Sequence, residues 1–252
     1  ADRGGDVMRF SANLGFLWTE LALPDAIRAA AASGFQAVEC HWPYDVPADD
    51  VAAALRETGL PMLGLNTRRG AAGENGLSAL PGRGADARAA VDEALAYAAA
   101  TDTGAVHVMA GFAEGPAAHA AFVETLRYAC DRAEGRTILI EPLNHYDAPG
   151  YFLRTTTQAE AILAEVGAAN LKLMFDCYHV QLMEGDVTHR LERLLGLIGH
   201  VQVASVPDRG APDHGELNYP HVWEVLARLG WDTPVGAEYR PVGPTEATLG
   251  WM

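Results

Sequence analysis

The sequence predicts an α/β fold in which eight strands alternate with helices. A short apolar run followed by an alanine-rich segment with helical spacing recurs eight times in 252 residues, at about 31 residues per cycle, close to the usual length of a βα unit. Continuously apolar runs in strict alternation with helices are typical of parallel strands that helices cover. A doubly wound open sheet and a closed barrel both fit. Eight cycles without a linker favour the barrel, so we expect one domain over residues 1–252, a (β/α)8 TIM barrel.

The eight strands are predicted from short, continuously apolar runs. In chain order they cover residues 9–14, 37–40, 61–65, 105–109, 137–141, 171–175, 200–204 and 235–238. Seven segments between them have amphipathic helical spacing, at residues 24–33, 48–58, 86–100, 117–134, 157–166, 187–198 and 219–229. We expect an eighth, short helix between Pro244 and Met252.

Proline and glycine positions support these helix boundaries. Pro24 and Pro47 stand at predicted helix starts, where the missing N–H of proline costs nothing. Glycine separates a helix from the next strand at six places, where a left-handed C-cap favours it: Gly34, Gly59, Gly104, Gly135, Gly199 and Gly230. The longest segment without periodicity, residues 66–84, follows the third strand. In a barrel it would lie over the mouth, and we interpret it as a candidate lid.

Composition and charge exclude several classes of protein. Hydrophobic residues make up 49% of the chain and charged residues 20%, which is ordinary for a globular protein. A formal net charge of −15 argues against nucleic acid or an anionic membrane as partner, because both require a basic surface. No stretch approaches the roughly 18 uninterrupted apolar residues that a membrane helix needs.

Cysteine usage and the N-terminus suggest a compartment. Cys40, Cys130 and Cys177 are scattered without CxxC spacing, so neither a disulfide framework nor a zinc site is indicated. Residues 1–6 are polar and show no apolar signal core. We therefore expect a reduced, soluble, cytoplasmic protein that acts on a small molecule. A homo-oligomer is compatible with the sequence.

The last four predicted strands bring polar residues to the rim where TIM barrels carry their chemistry: the fifth, sixth and eighth end in a carboxylate, and the seventh has a glutamine within it. In chain order these residues are Glu141, Asp176, Gln202 and Glu238. Any single carboxylate among them is equally well interpreted as a helix N-cap or a solvated strand end. Three carboxylates on one rim would repel one another, however, and a divalent cation removes that penalty. Oxygen ligands of this kind suit Mg²⁺ or Mn²⁺, so the pattern predicts a metal site.

Four further residues are candidates for the site or its surroundings. His179, shortly after the sixth strand, could bind a metal or hydrogen-bond a substrate oxygen. Arg209, in the loop after the seventh strand, is a candidate clamp for a substrate carboxylate, with a surface arginine as the equally weighted alternative. His107 is interpreted either as a core residue or as a polar group facing the mouth. His200 opens the predicted seventh strand at the opposite end, so we expect a packed structural histidine there.

At these residues the sequence resembles the hydroxypyruvate isomerases of the xylose isomerase-like superfamily of metal-dependent TIM barrels. The resemblance covers nearly the whole chain and rests on an ordered set of motifs. They are Ser11-Ala12-Asn13-Leu14, Pro81-Gly82-Arg83, Glu141-Pro142-Leu143-Asn144, Pro149-Gly150-Tyr151-Phe152-Leu153, Phe175-Asp176-Cys177-Tyr178-His179, His200-Val201-Gln202-Val203-Ala204, Val206-Pro207-Asp208-Arg209, Gly215-Glu216-Leu217-Asn218-Tyr219 and Glu238-Tyr239-Arg240-Pro241. One segment departs from the pattern, since Gly210-Ala211-Pro212 stands where family members commonly have His-Glu-Pro.

The resemblance implies a reaction and assigns roles to residues. It implies conversion of hydroxypyruvate to 2-hydroxy-3-oxopropanoate (tartronate semialdehyde), with His179 and Arg209 contacting the substrate. The metal ligands that it implies are Glu141, Asp176, Gln202 and Glu238. We expect Glu141 and Glu238 to transfer protons through an enediolate, each also serving as a metal ligand, while Mg²⁺ or Mn²⁺ acts as Lewis acid.

Other functions fit the same residues. A 2-oxo-tetronate isomerase and a ketose 3-epimerase need the same metal and two carboxylates, and the size of the mouth, set by residues 66–84 and Trp42, would separate them from the first reaction. A metal-dependent dehydratase is a third alternative. An abasic-site endonuclease would need a histidine-rich three-metal cluster and a basic groove, which the charge of −15 opposes. The non-enzymatic alternative is a barrel that only binds a sugar acid.

Overall fold

Eight parallel strands form a nearly closed barrel in the computed structural model, which describes residues 7–252. The strands are β1 Phe10–Asn13, β2 Ala37–Glu39, β3 Gly64–Asn66, β4 Ala105–His107, β5 Thr137–Ile140, β6 Leu171–Asp176, β7 Ile198–Val203 and β8 Val235–Ala237. Their order around the barrel is β2-β1-β8-β7-β6-β5-β4-β3. The predicted α/β barrel is therefore confirmed. Residues 1–6, in which the sequence shows no apolar signal core, lie outside the described residues.

Backbone hydrogen bonds close the seam between β2 and β3, the two strands at the ends of this order. The N–H of Val38 donates to the carbonyl of Pro61 at 3.0 Å, and the N–H of Leu63 donates to the carbonyl of Val38 at 2.8 Å. The N–H of Cys40 donates to the carbonyl of Gly64 at 3.1 Å. Because these bonds satisfy the edges of both strands, the strand ends form a ring.

Eight α-helices in the described residues follow the strands. They are α1 Leu23–Ala32, α2 Ala48–Thr58, α3 Gly84–Thr101, α4 Gly115–Arg132, α5 Thr156–Val166, α6 Cys177–Met183, α7 Val187–Leu194 and α8 Tyr219–Arg228. In α3 the buried residues Ala87, Val91, Ala94 and Ala98 recur every three to four positions, which is the spacing of one helix face. Within residues 7–252 no helix combines the length and apolarity that crossing a membrane requires.

The predicted boundary between α7 and β7 is wrong. The helix predicted over residues 187–198 ends at Leu194 and is followed by a 3-10 turn, Leu195–Leu197. Gly196 lies in this turn, and glycine weakens a helix because it loses more backbone entropy than other residues. β7 consequently begins at Ile198, and His200 is its third residue rather than its first.

The structure differs from the predicted helices at two further places: one short helix was not predicted, and one predicted helix is only a turn. The seven-residue helix α6 follows β6 without a loop and is too short to give a periodic signal in the sequence. The helix expected between Pro244 and Met252 is reduced to one 3-10 turn, Thr245–Thr248. Gly250 stands two residues beyond this turn, where helix propensity is low.

Alternation along the strands separates an apolar outer face from an inner face that carries both polar and apolar side chains. Ile138 and Ile140 of β5 and Val201 of β7 belong to the large buried apolar cluster. The alternate residues Leu139 and Gln202 line a narrow cavity inside the barrel. Side chains of this second set that lie near the C-terminal strand ends therefore point into the barrel mouth.

The start of α8 is tied to the end of β7. The side chain of Asn218 caps the helix by accepting a hydrogen bond from the N–H of His221 at 3.3 Å, and Pro220 occupies the first turn. The hydroxyl of Tyr219, a residue 1% exposed, donates to the carbonyl of Ala204 at 2.6 Å and accepts from the N–H of Ala204 at 3.1 Å. This side chain satisfies two backbone groups just beyond β7.

We predict that Tyr219→Phe lowers the free energy of unfolding by about 1–3 kcal/mol, because it leaves the buried N–H and carbonyl of Ala204 without this partner. The measurement is denaturant unfolding followed by circular dichroism. Tyr128→Phe is the matched control: the Tyr128 hydroxyl bonds Asp92 at the exposed surface, and we expect a change within about 0.5 kcal/mol. Equal losses in the two variants would contradict the anchoring role of Tyr219.

Candidate active site

The ends of four neighbouring strands bring polar side chains together inside the barrel mouth. They belong to β5, β6, β7 and β8 and are the residues predicted as metal ligands: Glu141, Asp176, Gln202 and Glu238. None of the four is more than 5% exposed. One oxygen from each of the three carboxylates and one ring nitrogen of His179 lie within 4.8 Å of one another. The amide nitrogen of Gln202 is 2.8 Å from Glu238, so Gln202 belongs to the same group.

Three of these side chains keep a buried oxygen without a hydrogen bond from any described residue. The atoms are Oε2 of Glu141, Oδ2 of Asp176 and Oε1 of Gln202. Asp176 serves two purposes, because its other oxygen, Oδ1, accepts from the N–H of Tyr178 at 2.9 Å and caps α6. Buried polar atoms without partners are costly, and three that share one site point to an additional binding partner there.

The orientation of the Gln202 amide follows from its two carboxylate neighbours. Its Nε2 donates to Oε2 of Glu39 at 2.6 Å and to Oε2 of Glu238 at 2.8 Å. An ionised carboxylate only accepts hydrogen bonds, so the amide nitrogen must face both of them. The unpaired amide oxygen is thereby the atom that Gln202 keeps for a ligand.

Glu39 and His200 form a buried, hydrogen-bonded acid and base pair beneath this group, and Glu39 is not among the residues predicted from the sequence. His200 Nε2 lies 2.9 Å from Oε1 of Glu39. Burial opposes the charge on both groups, but their mutual attraction outweighs it, lowering the pKa of Glu39 and raising the pKa of His200. His200 is thus buried as expected, but its partner is a carboxylate inside the barrel.

His179 presents a proton donor to the site. Its Nδ1 accepts a hydrogen bond from the backbone N–H of Asn144 at 3.1 Å, so the proton of the neutral ring is on Nε2. Nε2 is 3.6 Å from Oδ2 of Asp176. Burial, reinforced by the positive charge of Arg209, lowers the pKa of His179 to about 3 and keeps the ring neutral. This tautomer favours Gln202 over His179 as the fourth metal ligand.

Arg209 lies over the group with both terminal nitrogens engaged. Nη2 donates to Oε1 of Glu238 at 2.8 Å, and Nη1 donates to Asp147 at 3.2 Å. Its Nε is buried and has no hydrogen-bond partner among residues 7–252. A two-nitrogen clamp on a substrate carboxylate would require exchange of these bonds, so the clamp assigned to Arg209 stays a prediction.

The three carboxyl groups of the site differ in acidity. Burial and the neighbouring charges of Glu238 and Asp176 raise the pKa of Glu141 well above its usual value. Burial and the charge of Glu238 raise the pKa of Asp176 to about 7. Burial also acts on Glu238, but His41 and Arg209 outweigh it and lower its pKa to about 2. Carboxylate and amide oxygens with this unrelieved repulsion fit a hard divalent cation.

A cavity of about 280 Å³ opens above the carboxylates. Glu141, Glu238, His179 and Arg209 line it, together with His107. His107 therefore faces the mouth, and burial lowers its pKa to about 4. The predicted lid segment contributes to the wall through residues 66, 69 and 75. Its movement as a lid stays a prediction.

The sequence carried a usable signal for part of what was missed. Asn13 ends β1 and Glu39 ends β2, and the two are directly paired in register, in the same way that Asn66 of β3 is paired with His107 of β4. Asn13 Nδ2 donates to Oε2 of Glu238 at 2.8 Å. Asn13, Glu39 and Asn66 each lie one position from the end of a predicted apolar run, which is the signal that marks them in the sequence. Asp147, which lies in a loop, has no such signal.

The chain is similar to known proteins over most of its length. The family description "xylose isomerase-like TIM barrel" matches residues 27–252. The chain is 48% identical to the 2-oxo-tetronate isomerase of Cupriavidus necator, over 97% of each chain. It is 38% identical to the hydroxypyruvate isomerase of Escherichia coli, over 98% of each chain.

A solved structure has nearly the same fold. The crystal structure titled as an AP endonuclease, family 2, from Brucella melitensis superposes with a TM-score of 0.94. The two chains are 42% identical, and the match covers 97% of this chain and 98% of the other.

We predict that Mn²⁺ stabilises the metal-free protein, because a dication bound at the carboxylates relieves their repulsion. At a concentration 100 times the dissociation constant, the free energy of unfolding should rise by about 2.7 kcal/mol, measured by denaturant unfolding. Glu141→Ala should lose most of this gain. Glu57→Gln, which changes an exposed carboxylate bonded to Arg28, should keep it. An undiminished gain in Glu141→Ala would place the ion elsewhere.

Proposed function

The chain belongs to the xylose isomerase-like TIM barrel family, and on this basis we propose that it is an isomerase of small hydroxy-oxo acids. Hydroxypyruvate, converted to 2-hydroxy-3-oxopropanoate, is the proposed substrate. The observation that carries the proposal is the convergence of Glu141 and Glu238 beside a cavity of about 280 Å³. Full-length relatives named as isomerases of such acids support it.

The reaction needs proton transfer at two adjacent carbons. One proton leaves C3 and one arrives at C2, while the oxygens exchange a proton in the same sense, so the overall composition is unchanged. Because the C–H bond is only weakly acidic, the enediolate between the two steps must be stabilised as it forms.

We assign the proton transfers to Glu141 and Glu238. Their pKa values are displaced in opposite directions, upward for Glu141 and downward to about 2 for Glu238. Two carboxyl groups displaced in this way are the pattern of an acid and base pair. One of the two carboxylates takes the proton from substrate carbon and the other returns a proton on the other side of the substrate plane, and proton exchange with solvent restores both groups for the next turnover.

The proposed metal ligands are the predicted set, with Mg²⁺ or Mn²⁺ as the ion: Glu141, Asp176, Gln202 and Glu238. When bound, the cation supplies Lewis-acid stabilisation of negative charge on substrate oxygens. Three of these residues offer an unpaired buried oxygen, which supports the assignment.

Arg209 and His179 are the proposed substrate contacts. Arg209 holds Glu238 as an anion through Nη2 and keeps its buried Nε for a substrate oxygen. His179, neutral and protonated on Nε2, donates a hydrogen bond to a substrate hydroxyl or carbonyl oxygen. Both residues are more than 90% buried, so water competes little for these bonds.

Isomerisation of 2-oxo-tetronate is the second candidate. The relative from Cupriavidus necator that carries this name is 48% identical, against 38% for the hydroxypyruvate isomerase of Escherichia coli. The two acids differ by one carbon, and the same residues serve both reactions. Turnover of each acid therefore has to be measured directly.

Nuclease activity is disfavoured by the charge of the chain. A net charge of −15 opposes the approach of DNA, whose binding depends on neutralising phosphates. The absence of a nucleic-acid partner, a cytoplasmic location and a homo-oligomeric state stay predictions.

The test of the function is a substrate panel run in D₂O with added Mn²⁺ and followed by proton NMR. Hydroxypyruvate, 2-oxo-tetronate and the neutral ketose D-fructose are compared. We expect deuterium at C2 or C3 of an acid and none in fructose. Exchange in 2-oxo-tetronate alone would select the second candidate. Exchange in fructose alone, or in no compound, would contradict the proposal.

We predict that Glu141→Gln and Glu238→Gln each lower kcat by at least about 10²–10⁴-fold, since positioned proton transfer contributes this much. Circular dichroism and thermal unfolding should show that both variants keep the barrel. Glu57→Gln, far from the site on α2, should turn over like the wild type. Wild-type turnover in either site variant would remove that residue from the acid and base pair.

A further inference from the structure

Arg69 presents its guanidinium group to the cavity above the carboxylates. The side chain lines that cavity and stacks on the ring of Trp42, with 4.1 Å between the guanidinium carbon and the ring centroid. Trp42 is itself fixed, because its Nε1 donates to the carbonyl of Thr67 at 2.9 Å. Stacking on a fixed aromatic ring orders an arginine before any ligand arrives.

The hydrogen bonds of Arg69 leave its terminal nitrogens available. Nε donates to Oδ1 of Asn75 at 3.1 Å, and within residues 7–252 neither Nη atom has a hydrogen bond or an ion pair. Its neighbour Arg68 differs, since it is ion-paired with Glu93 at 2.7 Å outside the cavity. Two unengaged Nη atoms on one ordered guanidinium match the two oxygens of a carboxylate.

The backbone around Arg69 is held against the barrel. The carbonyl of Arg69 accepts from the N–H of Gly76 at 2.8 Å, and the N–H of Ala79 donates to the carbonyl of Ala110 at 2.7 Å. Gly111 has a φ of +97°, and a Cβ there would lie 2.3 Å from the carbonyl oxygen of Gly76. Only glycine permits so close an approach, which keeps this segment beside the mouth.

Charge around the cavity leaves two arginines available for an anionic substrate, and packing distinguishes them. The chain carries a net charge of −15, yet three arginines line this cavity: Arg69, Arg209 and Arg240. Both Nη atoms of Arg209 already contact carboxylates. Arg69 and Arg240 are both exposed, and within residues 7–252 neither has an ion pair. Arg69 is the more firmly placed of the two, because it stacks on Trp42 at 4.1 Å and bonds Asn75 through Nε, whereas the guanidinium carbon of Arg240 lies 5.5 Å from the ring centroid of Phe16.

We propose that Arg69 binds the carboxylate of the substrate through its two Nη atoms and thereby selects acids over neutral ketoses. This inference rests on the proposed function, in which the substrate is a small hydroxy-oxo acid. Arg209 then stays bonded to Glu238 through Nη2 and binds a second substrate oxygen through Nε. The distinction between acid and ketose then depends on one residue of the segment after β3.

The kinetic experiment compares Arg69→Met with Arg68→Met. For hydroxypyruvate we expect kcat/KM to fall about 10- to 100-fold in Arg69→Met, mainly through KM, because a hydrogen-bonded charge pair is lost. Arg68→Met should match the wild type. For dihydroxyacetone, in which a hydroxymethyl group replaces the carboxylate, any turnover should be unaffected by Arg69→Met. An unchanged KM for hydroxypyruvate in Arg69→Met would overturn the proposal.

A binding experiment separates this proposal from the proposed function. Calorimetry with D-glycerate, a hydroxy acid without the oxo group, reports carboxylate binding without turnover. We expect its affinity to fall at least about 10-fold in Arg69→Met and to stay unchanged in Arg68→Met. Loss of affinity in Arg240→Met but not in Arg69→Met would contradict the assignment. Failure of turnover with every acid, together with Arg69-dependent glycerate binding, would overturn the reaction but keep the carboxylate site.

Discussion

A barrel mouth that buries four carboxylates must compensate their charge where water is scarce; the four are Glu39, Glu141, Asp176 and Glu238. Two have basic partners, since His200 lies 2.9 Å from Glu39 and Arg209 lies 2.8 Å from Glu238. Glu141 and Asp176 each keep an oxygen without a partner in the described part of the chain. These uncompensated carboxyl groups explain why the pKa values of Glu141 and Asp176 are raised and why the site fits a dication. Glu39 and Glu238 also fix the orientation of the Gln202 amide.

The way in which the buried carboxylates are compensated also determines the roles of the neighbouring side chains. Because Gln202 must turn its nitrogen toward Glu39 and Glu238, its oxygen is available to an ion. Because Arg209 bonds Glu238 and Asp147, its terminal nitrogens are occupied. Two cavity arginines keep no carboxylate partner in the described part of the chain, and one of them is held in place by a stacked ring and a side-chain amide. Arg69 is that residue. Each assignment therefore follows from how the buried charges are compensated.

Periodicity in the sequence predicted the barrel and the strand ends at Glu141, Asp176, Gln202 and Glu238, because strand alternation fixes which residues face the interior. It failed where local propensity outweighed the periodic pattern, as at Gly196, and where α6 was too short to show a period. Contacts such as Arg69 on Trp42 or Asp147 on Arg209 join segments distant in the chain. They depend on loop conformation, which no periodic pattern encodes.

The central claim is that these strand ends hold one divalent cation. A crystal structure of the protein grown with Mn²⁺ tests it most directly, through the anomalous difference map recorded at the manganese edge. The account predicts one strong peak in contact with oxygens of Glu141, Asp176, Gln202 and Glu238. A map with no peak at the barrel mouth, or a peak bound by other residues, would contradict it.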